Sequence, residues 1–483
     1  MHNHSSENLR QYSKSLSFWL VFVVGIIMVW LALFQPMLSL ILSVGLIIFF
    51  LIMMLFFGLD GIFSLRKAMP SLLIAAILLP YIRLPGSIPN VRPEFVIVFA
   101  AWGLLLLAHF TTGLPIRLKR CPPHKWFALF GLSIFMSMSY GAVVKNEPLL
   151  TRDLFEFVKL ILYFLIFSLA ASQTINQTAF KRYYRLALVI LMFSALVGFL
   201  QYIDFAGINE SVSPYYAPTQ MEGLLVHGRI TGTTGNPNEF GALMVLAISL
   251  AMSGALFFRE SKIRLLCCLA LFVYGLALVL TMSRTSLVAS FLSMAFVLTL
   301  YLKQRGFKHK WRQMATLMVF GIVVGYIILQ VMPEKALFRY SQLANIRGAS
   351  SWVARVENWQ THFAFWKDSP WFGWGPGKAT MGTIVDNEWL LLLRRYGVIG
   401  LFVFLGLFGS LFLGLSRIRK ATVEPSIVAF TVALQSTFVG YVLYMALASV
   451  YHSLQLMPIF MLFLGLAYSQ YRPKKRIQEV SKQ

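Results

Sequence analysis

Acidic residues are scarce in this chain, with 18 Asp and Glu among 483 residues against 42 Lys and Arg. Charged residues of both signs reach only 12%, where a soluble domain carries roughly 25%. That shortage excludes a wetted globular surface for most of the chain. Cysteine is nearly absent too. Cys121, Cys267 and Cys268 are present, the last two adjacent inside an apolar run, which gives neither a disulfide framework nor zinc-ligand spacing. The histidines, among them His109, His124, His227, His309, His362 and His452, show no metal-ligand spacing either, so no metal or other cofactor is expected. No small-residue cleavage site follows the first apolar run. That run therefore reads as a retained helix rather than a removed signal peptide.

Hydrophobicity is what the chain has in quantity, at 58% apolar residues and a mean hydropathy of +0.71. A membrane helix needs about 20 mostly apolar residues. Such runs lie near 16–34, 37–57, 69–84, 94–110, 126–143, 153–172 and 183–203. A second set lies near 239–258, 265–282, 285–302, 314–332, 396–415, 424–446 and 453–471. The expected fold class is an all-α polytopic membrane protein with about 14 transmembrane helices (12–14). It consists of a cytoplasmic tail at 1–15, a single transmembrane domain over 16–471 and a basic cytoplasmic tail at 472–483.

The net charge of +24 invites a nucleic-acid partner, but the distribution of the charge argues against one. With the N-terminus inside and each run crossing once, most of the 42 basic residues fall in inside segments. Short outside loops hold few: Arg83, Arg92, Lys145, Arg152, Arg229 and Arg284. This is the positive-inside pattern, which points to the cytoplasmic membrane and to membrane lipid as the surroundings.

Two outside segments, about 204–238 and about 333–395, are too long to be simple connections. Function concentrates in such loops. Within the second, Trp352, Val356, Trp359, Phe363 and Trp366 recur at helical spacing and predict an amphipathic helix lying in the outer interface. Its other side carries Arg355, Asn358 and His362. A solvated Arg355 on a packed helix is the alternative. Next comes WFGWGPGK at 371–378, a tight turn whose amides either meet a phosphate or simply close the turn. Asp386 and Asn387 then precede a short apolar helix ending at Arg394-Arg395, and either could be a plain N-cap.

The first long segment ends in Asn236-Pro237-Asn238-Glu239, a good helix start with Asn as cap. Arg229 lies upstream of it. Arg284 sits at a hairpin tip between two apolar runs, where it either snorkels to head groups or holds a surface phosphate. Glu156 and Lys159, at i and i+3 inside a span, read as a mutually neutralising pair.

Taken in order, the GxxGNPNxxG of Gly232–Gly241, the TxSRT of Thr281–Thr285, the RxxxW of Arg355–Trp359, the PWFGWGPG of Pro370–Gly377 and the DNx9GxxG of Asp386–Gly400 resemble the O-antigen ligase and polymerase superfamily. The resemblance spans about 225–415. It implies a membrane glycosyltransferase taking glycan from an undecaprenyl-diphosphate carrier, with its reaction on the outer face. It also implies that Arg284 and Arg355, with Arg229, hold the diphosphate. Ligases of this superfamily carry His-Asn where this chain has Asp386-Asn387. The departure favours a polymerase of O-antigen, exopolysaccharide or a wall glycopolymer such as teichuronic acid over an O-antigen ligase.

The expected chemistry follows. Fixed cations stabilise a leaving diphosphate as it gains charge, and a base takes the proton of the attacking hydroxyl. Asp386, Arg284 and Arg355 are the catalytic candidates. Arg229, Asn236, Asn238, Asn387, Glu388 and His362 are the substrate-binding candidates, with Glu388 and His362 as reserve bases. A flippase and a chain-length regulator are candidate partners. A lipid-linked oligosaccharide flippase or other transporter is the competing class, which would need internal repeats and mid-membrane charges.

Overall fold

The computed structural model describes residues 68–82, 91–305 except 114 and 117, 341, 350–378, 381 and 385–472. The apolar runs expected at 16–34, 37–57 and 314–332, the tail at 1–15, the tail at 472–483 apart from Arg472, and most of 333–349 lie outside the described residues.

The described chain is helical, with one isolated antiparallel bridge between Ile82 and Val91. In chain order the helices are α1 (Ala68–Leu78), α2 (Pro93–Thr112), α3 (Pro123–Val144), α4 (Phe155–Ala171), α5 (Gln177–Tyr202) and α6 (Pro237–Phe257). They continue as α7 (Ser261–Leu280), α8 (Arg284–Arg305), α9 (Ser350–Asp368), α10 (Glu388–Lys420), α11 (Pro425–Tyr444) and α12 (Leu456–Tyr468). Among the described residues nine helices are long and apolar enough to cross a membrane: α2 to α8, α10 and α11. The shorter apolar helices α1 and α12 fall on two further expected runs.

Local sequence explains the starts. Four of these helices open on proline, whose fixed φ and missing N–H suit the first turn. Large apolar side chains such as Leu107, Phe110, Phe135, Phe291, Phe402 and Leu413 stand exposed on the outer faces. With helices of this length, that surface makes the chain a multi-pass membrane protein.

The core is built on α6 and α11, both buried along almost their whole length. Lipid-embedded helices gain little from excluding water, so close approach through small residues holds them together. Gly241 of α6 meets the Ser286 side chain of α8, and Gly254 meets Cys267 of α7 and Tyr184 of α5. Gly440 of α11 packs on Ser293, whose hydroxyl donates to the Ser436 carbonyl at 2.9 Å.

The connections gather at two ends of the bundle. At one end, Thr233 and Tyr216 donate to the carbonyls of Ile77 and Leu78, Gln455 donates to Thr233, and Lys145 pairs with Asp368. At the other, Lys119 reaches the Ser469 carbonyl, Lys181 pairs with Glu260, and Gln470 reaches Ile175. Segments expected outside share the first end, and segments expected inside share the second. The alternation of the described helices therefore follows the sequence pattern.

Candidate active site

The first end is organised around a break in α10. Asn387 caps the helix by accepting from the Leu390 amide at 3.0 Å, and two turns follow. Gly397 then leaves helical geometry at φ 64°, ψ −169°. A side chain there would be strained and would strike the Trp371 carbonyl.

The break leaves backbone groups that the PWFGWG segment satisfies. The amides of Trp374 and Gly375 donate to the carbonyls of Arg394 and Arg395, each at 2.9 Å. In return, Val398 and Ile399 donate to the carbonyls of Pro370 and Trp371. Gly373, Gly375 and Gly377 all take positive φ in this loop. Of the two sequence readings of WFGWGPGK, the structure realises the closed turn: the amides of Gly373, Trp374 and Gly375 are spent within the protein. The orphan groups of a broken helix have to be paired somewhere, and this loop is where.

Two arginines are thereby held beside the break. Arg394 is buried, donating to His362 Nδ1 at 3.2 Å and to the carbonyls of Met381 and Pro376. Arg395 lies among charges. Its guanidinium donates to Glu156 at 3.2 Å and to His452 Nε2 at 2.7 Å. Glu156, fully buried in α4, also takes Lys159 at 2.8 Å, Lys378 at 2.9 Å and the Tyr396 hydroxyl at 3.2 Å. The expected Glu156–Lys159 pair is thus present, inside a larger cluster. His452 Nδ1 donates to Glu388, whose other oxygen accepts the amides of Val450 and Tyr451. Both ring nitrogens of His452 are engaged, Nδ1 by Glu388 and Nε2 by Arg395 and Glu156.

Arg355 of α9 and Asp386, just before α10, form a pair at 3.4 Å. Their side chains keep 26% and 50% exposure, enough for a ligand to reach both. Two of the three expected catalytic residues are therefore neighbours, brought together across 31 positions of chain.

Arg229, Asn238 and the hairpin tip form a second cluster at this end. Arg229 donates to the Thr281 carbonyl and to Asn238 Oδ1, each at 3.1 Å. The chain reverses at Met282, with φ 53°, and Arg284 opens α8 two residues later.

Three expected binding residues have structural work. Asn236 caps α6, accepting from the amides of Asn238 and Glu239 at 2.9 Å each. Asn387 caps α10, as the alternative reading allowed. Glu388 is buried and points to the 450–452 segment. Asn236→Ala is expected to cost about 1 kcal/mol through loss of the cap, visible as a lowered unfolding temperature of the purified protein. An unchanged unfolding temperature would refute the capping role.

His362 also faces inward. In α9 the residues turned to the protein include Trp352, Arg355, Trp359, His362 and Trp366, whereas Val353, Glu357 and Phe363 stand outward. The tryptophan row is therefore not the outward face. Trp359 packs on Val385, Leu390 and Leu391, and this satellite core draws it in.

Burial, then the charges of Arg394 and Arg395, pushes the His362 pKa down to about 4. An unfolded histidine titrates near 6.5, so the folded state favours the neutral ring. Stability from this group is complete above about 6.5 and is lost as pH falls toward about 4. In His362→Gln the loss of stability between these pH values should be smaller than in wild type. Identical pH profiles of unfolding temperature would remove His362 from the account.

Sequence reasoning did not single out Arg394, Arg395, Lys378 or His452 as site residues. The available signal was Glu156 and Lys159 within an apolar run, since charges there need partners.

Residues 268–405 match the family model described as O-Antigen ligase. The match supports the O-antigen ligase/polymerase superfamily. It takes in Arg284, Arg355, His362, Asp386, Asn387 and Glu388 and leaves Arg229, Asn236 and Asn238 outside it. No curated protein matches the chain.

Proposed function

We propose that the chain is a polysaccharide polymerase that joins undecaprenyl-diphosphate-linked repeat units on the outer face of the cytoplasmic membrane. One observation carries the reading: the accessible Arg355–Asp386 pair, a cation beside a carboxylate at the bundle end that also presents Arg229 and Arg284.

In the reaction, a sugar hydroxyl of the incoming unit attacks the anomeric carbon of the growing glycan. The new C–O bond forms as the bond to the diphosphate breaks, and undecaprenyl diphosphate leaves with the electron pair. Asp386 takes the hydroxyl proton, which raises the nucleophilicity of the oxygen in the transition state. Arg355, Arg284 and Arg229 face the diphosphate as its negative charge grows, and flat guanidinium forks suit its paired oxygens. In the unliganded pair, Arg355 neutralises Asp386. An arriving diphosphate draws Arg355 away and leaves the carboxylate free for the hydroxyl.

The buried cluster of Glu156, Arg395, His452 and Glu388 fixes the backbone around this pair, because Glu388 begins the helix that Asp386 and Asn387 precede. The glycan donor is lipid-linked, with a flippase upstream and a chain-length regulator as a companion.

The test is glycan size from cells lacking the native gene and complemented with it. Long chains on complementation, with single lipid-linked units on the outer face in its absence, support polymerisation. Units held on the inner face without the protein would make it a flippase and end this reading. The ligase reading, favoured by the family model's description, predicts chains that are already long but lack their final acceptor.

A further inference from the structure

At the end of the bundle opposite the Arg355–Asp386 pair, a cavity of about 380 Å³ opens between the start of α3 and the second half of α10. Its lining is mostly apolar, with Trp126, Gly406, Gly409 and Leu413 among the lining residues. Leu413 is 58% exposed, and Leu129 and Leu405 nearby on the two helices are exposed as well. The cleft therefore opens on the apolar outer surface, where lipid chains run.

The glycines of this stretch differ in their surroundings. A side chain at Gly406 would strike the Trp126 ring, and one at Gly414 would strike Tyr468. Gly409 has nothing within 4 Å of a side-chain position, so helix packing does not explain it. From Gly406 to Arg417 the helix rises roughly 16 Å, about half of a ~30 Å hydrocarbon core and so the depth of one leaflet.

The polar groups are cationic. Lys125 and Arg417 line the cavity, and no carboxylate does so among the described residues. The Lys125 ammonium lies over the Trp126 ring at 5.6 Å. Ser410 Oγ also lines the cleft, shielded from solvent and without a hydrogen-bond partner among the described residues. Lys119 reaches the Ser469 carbonyl at this same end of the bundle, which adds a further cation there. An apolar slot one leaflet deep, whose two cations have no carboxylate beside them among the described residues and whose hydroxyl is unpaired among them, matches an acyl chain joined to an anionic head group.

We propose that this cleft is a binding site for an anionic glycerophospholipid of the nearer leaflet, its phosphate held by Lys125 and Arg417 and one acyl chain lying over Gly409. The site is separate from the proposed polymerase chemistry and stands whether or not that reading holds.

The test uses the full chain in nanodiscs, with native mass spectrometry counting retained lipid. Wild type should retain one phosphatidylglycerol in preference to phosphatidylcholine. Lys125→Ala with Arg417→Ala should weaken that retention roughly 10- to 30-fold. Gly409→Leu fills the slot without touching either cation and should displace the lipid, while size-exclusion and circular dichroism profiles stay those of wild type. Undiminished retention in Gly409→Leu would overturn the proposal. So would equal retention of phosphatidylcholine, or glycerol phosphate binding as tightly as the lipid.

Discussion

Asp386→Asn is expected to lower turnover by about 100- to 10,000-fold, the usual contribution of a positioned general base. The substitution keeps size and hydrogen-bonding capacity but removes the ability to take a proton at neutral pH. Arg355→Ala should cost about 100- to 1,000-fold, as loss of one charge-stabilising donor does. Neither variant should disturb folding much, because the pair is partly exposed at 26% and 50% and such ion pairs contribute about 0–1 kcal/mol.

That separation makes the experiment informative. Purified variants would be assayed on lipid-linked repeat units, with unfolding temperature measured on the same samples. Wild-type turnover in Asp386→Asn would dismiss it as the base. Loss of activity together with loss of fold would say only that the pair is structural. Combining the two substitutions should cost less than the product of the single effects, since residues acting as one unit are not additive.

Glu156→Ala should have the largest effect on stability, about 3–5 kcal/mol, the cost of removing one partner from a buried ionic cluster. Glu156 is fully buried and faces Lys159, Lys378 and Arg395. Without it, Lys159, Lys378 and Arg395 lose the carboxylate they share, beside His452 and its Glu388 partner. Replacing the whole cluster with apolar residues would cost far less than removing this carboxylate alone.

The readout is the unfolding temperature in detergent, together with proteolytic cutting in the 369–378 loop, which Lys378 ties to Glu156. Glu156→Gln should lie between wild type and alanine, because it keeps hydrogen-bond acceptance from the Tyr396 hydroxyl. Wild-type stability in Glu156→Ala would mean that the cations escape to water, and that the cluster does not hold the α10 break.

Much of the architecture was legible in composition and periodicity. Long apolar runs have to be helices in lipid, where each backbone group needs an internal partner. Their alternation follows from where Lys and Arg can be left. Helix starts such as Asn236-Pro237 and Asn387 were legible for an equally local reason, since a cap is satisfied by amides two or three residues along. The break at Gly397 was visible as glycine, though its partner was not.

Long-range pairing was beyond the reach of the sequence. Nothing in the chain says that Trp374 and Gly375 stitch the carbonyls of Arg394 and Arg395, or that Glu388 reaches His452 across 64 positions. The facing of α9 was also undecided. Its tryptophan and arginine rows are both compatible with helical spacing, and only a neighbouring core at Val385, Leu390 and Leu391 turns them inward together. By itself the sequence determined a helical membrane protein and the polar residues available to it, because hydrophobic length and charge placement act locally along the chain. The tertiary structure alone decided which charges meet: Arg355 with Asp386, Arg395 with Glu156 and His452. Buried charges must find partners wherever packing places them, and that partnering is a property of the fold rather than of any segment.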